Sequence, residues 1–364
     1  AEQSPNQQNW QPYNKLKRPG EVRLLAYQGI AHGADSALYF QMRQSIGGQE
    51  KFHGALISHS GRNDTRIFQE MKALGKELHS LGGQILDART RSDVGILFDW
   101  DSWWALELCS GPTKDMDYLA QVGHYYNAFY QAGISVDMVK YEGDFSKYKV
   151  LAAPLVYMLK EGLAEKLKTF VREGGILLGT YMTGVADETD RCIFGAYPGP
   201  LQEVFGLWVE ETDALFPDER NGIVIPETGE VYESSFLCDR LRLEGAEVLG
   251  TYEKDFYAGE PCVTEHSYGK GKAYYLGTMP EEAFLAKLTA RMCLEAGIQP
   301  VFPHQDGVEI TQRENENGTF FFFLNHTTEE KRIPLPKGTW KDLLKGGAAE
   351  GEVCLEARDV AVLK

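Results

Sequence analysis

Apolar residues recur at every third or fourth position in five stretches of the chain, a spacing that predicts amphipathic helices. The predicted helices span 20–32, 64–82, 116–132, 161–172 and 281–296. Short, continuous apolar runs predict buried strands at 36–40, 94–98, 134–139, 149–155 and 175–179. This alternation predicts an α/β protein whose middle part, from about residue 93, is a parallel, doubly wound sheet.

The pattern changes to β near the C-terminus. Val308 and Ile310 alternate with polar residues, Asn317-Gly318 supplies a tight turn, and the apolar run 319–324 returns. Further strands are predicted near 331–335, 352–355 and 359–363. We therefore expect a small antiparallel β domain. Its aromatic residues form one continuous run, which favours a packing role over the alternative, carbohydrate binding.

Capping residues and aromatic residues give more detailed predictions for two segments. Asn63 or Asp64 can accept hydrogen bonds from the first turn of the helix at 64–82, and Gly82-Gly83 is expected to end it. The segment 99–104, with the sequence DWDSWW, is interpreted as loop packing at a domain junction. A second sugar site is the alternative for this mixture of acidic and aromatic residues.

Composition and charge exclude several classes of protein. A chain of 364 residues is long enough for two or three domains. Its net charge of −16 argues against nucleic acid and anionic membranes as partners. No apolar run reaches the ~18 residues of a membrane span. The six cysteines are scattered without metal-binding spacing, which predicts reduced thiols, a cytoplasmic protein and no metal.

The residues with the most candidate chemistry lie in the first 53 positions. They combine a carboxylate, flat rings, a guanidinium and an imidazole at Glu2, Trp10, Phe40, Arg43, Glu50 and His53. Flat rings suit the C–H face of a sugar, polar groups suit its hydroxyls, and chemistry at the anomeric carbon needs a carboxylate. The plainer interpretation is a solvated charge at Glu2 and a core position for Trp10, and these residue types alone do not decide between the two.

Two blocks in this region carry a resemblance to a known family. The first is Glu2-Gln3-Ser4-Pro5 followed by Asn9-Trp10. The second runs from Ala31-His32-Gly33-Ala34 through Tyr39-Phe40 and Arg43-Gln44 to Gln49-Glu50 and His53. Both resemble the nucleophile region of glycoside hydrolase family 42, the bacterial β-galactosidases. The resemblance continues through the middle of the chain and is weakest in its last part.

The resemblance implies retaining hydrolysis of terminal β-D-galactosides without a cofactor. Glu2 would be the nucleophile, Trp10 would wall the sugar site, and Phe40 would face the sugar. Glu50 and His53 would bind galactose hydroxyls. For Arg43, contact with the sugar and an ion pair that orients a carboxylate stay open as alternatives.

The family pattern also implies what this sequence does not contain. The family's acid/base Glu, preceded by Asn, lies on an earlier barrel strand and has no counterpart here. We therefore expect the last elements of a (β/α)8 barrel at 1–92, an engineered or processed start at Ala1, and no useful turnover by this chain alone. In isolation we expect the barrel part to be poorly ordered, because a few elements cannot close a barrel.

The middle part, 93–303, resembles class I glutamine amidotransferases, and in the family this domain serves trimer assembly. A glutaminase needs a nucleophilic cysteine at a strand-to-helix turn, and the turn at 179–184 has none. A homotrimer of the full-length enzyme is expected instead, with 304–364 as the small β domain. The alternative function is a catalytically inactive oligomerisation or ligand-binding module.

Overall fold

The computed structural model describes residues 2–364, and Ala1, the expected engineered or processed start, lies outside them. Contacts divide the chain into two compact units. The first consists of the residues up to Arg91 together with Val301–Lys364, and the second is Ser92–Pro300. The division into three domains at 1–92, 93–303 and 304–364 stays a prediction.

Seven α-helices are present in the described residues: α1 Glu21–Ala31, α2 Arg66–Ile85, α3 Trp100–Leu108, α4 Tyr118–Gln131, α5 Leu163–Arg172, α6 Gln202–Phe205 and α7 Glu282–Glu295. Two short 3-10 turns span Gln49–Phe52 and Gly199–Leu201. The five predicted helices are α1, α2, α4, α5 and α7, and their existence is confirmed. Over residues 2–364, no helix combines the length and the apolar character needed to cross a bilayer.

The strands are short at both ends of the chain and longer in the middle. They are β1 Glu2–Gln3, β2 Leu38–Tyr39, β3 Val94–Leu97, β4 Val136–Val139, β5 Val150–Ala153, β6 Met158–Leu159, β7 Ile176–Thr180, β8 Ala186–Asp187, β9 Leu207–Ala214, β10 Asn221–Val224, β11 Val231–Leu243, β12 Glu247–Tyr252, β13 Pro261–Tyr268, β14 Gly271–Leu276, β15 Thr278–Pro280, β16 Val308–Asn315, β17 Gly318–Asn325, β18 Lys331–Pro334, β19 Trp340–Lys341, β20 Ala348–Ala349, β21 Glu352–Leu355 and β22 Val360–Leu363.

The first unit begins with a strand, a helix and a parallel strand. Glu2 pairs with Leu38 and Gln3 with Tyr39, so β1 and β2 run in the same direction. Helix α1 connects them, after a left-handed Gly20 with φ of 85°. This is the order of elements expected for the end of a barrel.

Helix α2 differs from its predicted bounds at both ends. Its cap is Thr65, whose hydroxyl accepts from the N–H of Phe68 at 3.4 Å, because the carboxylate of Asp64 is taken by Arg62. The helix also continues through both glycines to Ile85, which is buried. Asn315 of β16 donates to the carbonyls of Gln84 and Leu86 at 2.9 Å each. The predicted cap and the predicted end at Gly82-Gly83 are therefore wrong.

A three-stranded antiparallel sheet, in the order β16–β17–β22, covers the two helices. Side chains alternate across β17 with a period of two. Phe320 and Phe322 therefore pack against α1 and α2, while Phe323 packs on the opposite face against Phe302. The continuous aromatic run is core on both faces. The barrel helices thus bury their apolar faces against the C-terminal sheet.

One buried arginine adds hydrogen bonds to this packing. Arg313 of β16 donates to the carbonyls of Ile30 and Ala34 at 2.8 and 3.1 Å, and through two nitrogens to the carbonyl of Ala88. Its side chain is 2% exposed. The guanidinium therefore connects the C-terminal sheet to the end of α1 and to the segment after α2.

The second unit is built on an eleven-stranded mixed sheet. Strands β4, β3, β5, β7 and β14 are parallel neighbours in that order. From β14 onwards the sheet continues antiparallel through β13, β12, β10, β11 and β15, with β9 also paired to β11. The parallel part is the predicted doubly wound sheet. The antiparallel strands between 207 and 268 were not predicted from the sequence.

Helices lie on both faces of this sheet, as a doubly wound fold requires. Tyr125 of α4 and Phe284 of α7 pack on one face, and Leu167 of α5 packs on the other. The segment 99–104 is not a loop. Asp99 accepts from the N–H of Ser102 at 2.9 Å and caps helix α3, which corrects the sequence interpretation.

A buried carboxyl group lies in the antiparallel part of the sheet. Asp239 of β11 is 1% exposed. It accepts from the hydroxyls of Thr212 and Tyr275 at 2.6 and 2.9 Å. Burial raises the pKa of Asp239 to about 7, although both hydrogen bonds act in the lowering direction. The folded state therefore prefers the protonated carboxyl.

This preference predicts a pH-dependent stability. Between about pH 4 and pH 7 the unfolded chain ionises Asp239 and the folded chain does not, so the free energy of unfolding should fall as pH rises, by at most about 1.4 kcal/mol per unit. Asp239→Asn mimics the protonated group and should flatten this slope in urea titrations. The exposed Asp218→Asn is the control, and an unchanged slope in Asp239→Asn would contradict the assignment.

Candidate active site

The predicted site residues lie where two parallel strands end. Glu2 lies in β1, and Phe40 directly follows β2. The N–H of Phe40 donates to the carbonyl of Gln3 at 2.9 Å, which holds the two strand ends together. The carboxyl ends of parallel strands are the usual location of catalytic residues in α/β barrels.

A cavity of about 530 Å3 opens at these strand ends. Four of the six predicted residues line it: Glu2, Trp10, Phe40 and His53. Glu2 is the only carboxylate among its lining residues within 2–364. The cavity therefore presents one candidate nucleophile beside aromatic walls.

His53 is the buried centre of the aromatic group. Its side chain is 1% exposed. The ring of Trp10 stacks on it at 5.2 Å between centroids, and Phe40 meets it edge-on at the same distance. Nδ1 lies 2.9 Å from the carbonyl oxygen of Gly54, so Nδ1 carries the proton and donates. In the tautomer with the proton on Nδ1, Nε2 is an acceptor.

The loop that carries Trp10 is attached to the segment around His53 by hydrogen bonds. Asn9 donates to the carbonyl of Gln49 at 2.6 Å, and Gln7 donates to that of Phe52 at 3.0 Å. The N–H of Gly54 donates in return to the carbonyl of Gln7 at 2.8 Å. Trp10 itself is 61% exposed. Its position therefore depends on this loop-to-loop attachment.

The structure does not bring the other two predicted residues into the cavity. Glu50 lies in the exposed 3-10 turn Gln49–Phe52, and its carbonyl accepts from the N–H of His53 at 2.9 Å. Arg43 is exposed and forms a backbone bridge with Ile57. Among the ion pairs of residues 2–364, none involves Arg43. The predicted roles of Glu50 and Arg43 stay predictions.

Three family models match the chain, and together they cover most of it. The model described as "Beta-galactosidase trimerisation domain" matches residues 92–299. The models "Beta-galactosidase" and "Beta-galactosidase C-terminal domain" match residues 1–81 and 307–364. The chain belongs to glycoside hydrolase family 42. The family resemblance seen in the sequence is thereby confirmed.

Proteins named as β-galactosidases match along the whole chain. The β-galactosidase BgaP of Planococcus sp. strain L4 is 45% identical over 366 residues. The crystal structure of β-galactosidase from Bacillus circulans sp. alkalophilus superposes with a TM-score of 0.97 at 43% identity. That from Rahnella sp. R3 does so with 0.93 at 35%. Each match covers 100% of this chain and 54% of the relative, so the chain spans about half the length of these relatives.

Several residues that line the cavity of this family 42 chain could not be assigned to the site from the sequence. Lys17, Gln28 and His32 line the cavity with Glu2. His32 belongs to a block that carried the resemblance, but it had no assigned role. Lys17 lies in a polar loop whose composition is unremarkable. Only the folded loop and helix place these side chains at the cavity.

A buried glutamate of the C-terminal sheet holds two of these residues. Glu309 accepts from Gln28 at 3.0 Å, from His326 at 2.7 Å and from His32. Burial alone raises the pKa of Glu309, but the hydrogen bonds from the two histidines and from Gln28 lower it to about 2. Glu309 is therefore ionised at neutral pH and fixes one wall of the cavity.

The close approach at Gly54 generates a prediction for this site. A Cβ added to Gly54 would lie 2.8 Å from the Cβ of Asn6 and 2.9 Å from the carbonyl oxygen of Gln7. We expect Gly54→Ala to lower the free energy of unfolding of the first unit by about 1–3 kcal/mol, measured in urea, because the backbone must shift. Gly47→Ala, where the added Cβ meets nothing within 4 Å, is the matched control. Equal stability of the two variants would contradict the tight packing of the loop.

Proposed function

We propose that this chain provides the nucleophile side of a retaining β-galactosidase. The observation that carries the proposal is the cavity in which Glu2 lies beside the Trp10–His53 stack. The relatives that match the whole chain are named β-galactosidases, which supports terminal β-D-galactosides as the substrates. No cofactor is needed for this chemistry.

In the proposed reaction a carboxylate oxygen of Glu2 attacks the anomeric carbon. The bond from that carbon to the leaving oxygen breaks, and a covalent galactosyl-enzyme forms. Trp10 packs against the C–H face of the sugar, and Nε2 of His53 accepts from a galactose hydroxyl. Phe40 faces the sugar. Glu50 would bind a further hydroxyl once the sugar is present. For Arg43, contact with the sugar and an ion pair that orients a carboxylate stay open as alternatives.

The mechanism needs a second carboxyl group, and the described residues that line the cavity do not include one. Retention needs two carboxyls about 5–5.5 Å apart, one of which protonates the leaving oxygen and then activates water. Since Glu2 is the lone carboxylate among the cavity residues of 2–364, an acid/base group must come from elsewhere. We therefore propose that residues 1–364 by themselves do not turn over ordinary galactosides.

An activated substrate tests Glu2 without that second group. The dinitrophenolate of 2,4-dinitrophenyl 2-deoxy-2-fluoro-β-D-galactoside leaves without protonation, and the fluorine slows loss of the sugar. We expect intact mass to increase by one fluorogalactosyl unit, located on the Glu2 peptide. Glu2→Gln should abolish labelling, because an amide is a far weaker nucleophile.

The control for this experiment is Glu316→Gln, which changes an exposed glutamate in the β16–β17 turn and should label as the parent chain does. Labelling of Glu2→Gln at the parent rate, or label on another carboxylate, would rule out Glu2 as the nucleophile.

A second proposal concerns assembly, and a specific surface favours it. Trp100, Trp104 and Leu108 lie four residues apart along α3 and therefore on one face. They are 56%, 53% and 86% exposed. The family model over this unit is described as a trimerisation domain. We propose that this apolar stripe packs against another copy of the chain in a homotrimer, and that this assembly role is the alternative function if the chain is inactive.

Charge placed in this stripe should weaken the trimer. A buried glutamate without a partner is costly, so Leu108→Glu should shift the chain from trimer towards monomer in light scattering after gel filtration. Leu294→Glu is the matched control, because Leu294 is a 74% exposed leucine on a helix of the same unit. A trimer that survives Leu108→Glu, or that is lost equally in Leu294→Glu, would place the interface elsewhere.

The state of the thiols supports a proposal about the cellular setting. The six cysteines all lie within residues 2–364, and in this part of the chain each of them is free. This supports the proposal of a reducing, cytoplasmic environment. The absence of nucleic-acid and membrane partners stays a prediction from the net charge.

A further inference from the structure

Lys17 closes the loop that carries Trp10. Its ammonium donates to the carbonyl of Ser4 and, at 3.1 Å, to that of Asn6. Its own N–H donates to the side-chain oxygen of Asn6 at 3.2 Å. One residue at the end of the loop therefore binds the start of the loop in three places.

The main chain of Lys17 is itself held in place. Arg66, at the start of α2, donates to the carbonyl of Lys17 at 3.0 Å and pairs with Glu70 one helical turn further on. The loop starts directly after β1, the strand that contains Glu2. The contacts of Lys17 thus connect this loop start to helix α2. The residues between Trp10 and Lys17 are exposed.

We propose that Lys17 is a positioning residue, which fixes Trp10 against His53 and thereby sets the affinity of the cavity for the galactosyl group. This inference rests on the proposed function. Lys17 lines the cavity together with Trp10 and Glu2. Trp10 is largely exposed, so little packing besides the His53 stack restrains its ring. The loop path determines where the indole lies. Gln7 and Asn9 attach the middle of that path to the segment around His53, and Lys17 joins its two ends.

The chemistry of lysine suits this task. A long flexible stem ends in three donors, and charge-assisted hydrogen bonds to carbonyls are stronger than neutral ones. Burial lowers the pKa of Lys17, while the nearby Glu21 raises it. Methionine has a similar length but no donor, so Lys17→Met keeps the volume and removes the hydrogen bonds. Arginine keeps the charge and the donors.

Hydrogen–deuterium exchange of the 364-residue chain tests the loop closure independently of any activity. In Lys17→Met the amides protected by the closed loop, those of residue 17 and Gly54, should exchange about tenfold faster or more, since opening of the loop no longer breaks charge-assisted hydrogen bonds. Lys15→Met is the matched control, because Lys15 is an exposed lysine of the same loop. Exchange in Lys17→Met equal to that of the parent would overturn the proposal.

Labelling kinetics with the fluorogalactoside then test the effect on affinity. We expect Lys17→Met to raise the concentration for half-maximal labelling about tenfold, equivalent to about 1.4 kcal/mol, with the limiting rate nearly unchanged. Lys17→Arg should restore most of the affinity, and Lys15→Met should match the parent. A lower limiting rate with unchanged half-saturation, or no kinetic change despite faster exchange, would overturn the positioning role.

The two experiments separate this inference from the proposed function. If the parent chain is not labelled at all, the galactoside role of both Glu2 and Lys17 fails. Exchange then still decides whether Lys17 closes the loop. If the parent is labelled and only Lys17→Met loses affinity, both the nucleophile and the positioning residue are supported.

Discussion

The candidate site depends on the burial of one sheet between two apolar surfaces. Strand β17 has phenylalanines on both faces, and one face covers the helices that hold the strand ends with Glu2 and Phe40. Arg313 adds hydrogen bonds to main-chain carbonyls at the end of α1 and after α2. A buried carbonyl without a partner costs about 1–3 kcal/mol. The guanidinium supplies that partner to the carbonyl of Ala88, where the segment after α2 meets the sheet.

This arrangement gives the small β domain a definite task. Without this domain, helices α1 and α2 would expose a wide apolar surface. Glu309 of the same domain also binds Gln28 and His32, two residues of the cavity wall. The C-terminal sheet is thus part of the support of the candidate site. The sheet of β1 and β2 has only two strands in the described residues, so each of these strands is paired on one side only.

Two buried carboxyl groups show how partners decide ionisation. Glu309 receives hydrogen bonds from two imidazoles and an amide, which outweigh the cost of burial and lower its pKa. Asp239 receives two hydroxyl hydrogen bonds and has no cationic partner, so burial prevails and its pKa is raised. A buried carboxyl group therefore carries a fixed charge at neutral pH in one unit, whereas in the other unit its charge depends on pH.

Local periodicity in the sequence was sufficient to predict five of the seven described helices, the parallel strands and the Phe run as core, because each signal lies within a few consecutive residues. The family blocks pointed to Glu2, Trp10, Phe40 and His53 as one site. Long-range packing decided the rest. Helix α2 passes its glycines because Ile85 is buried and Asn315 caps its end. Lys17 and Glu309 reach the cavity through main-chain carbonyls and through partners as far as 281 positions away, and such contacts leave no pattern in a single sequence.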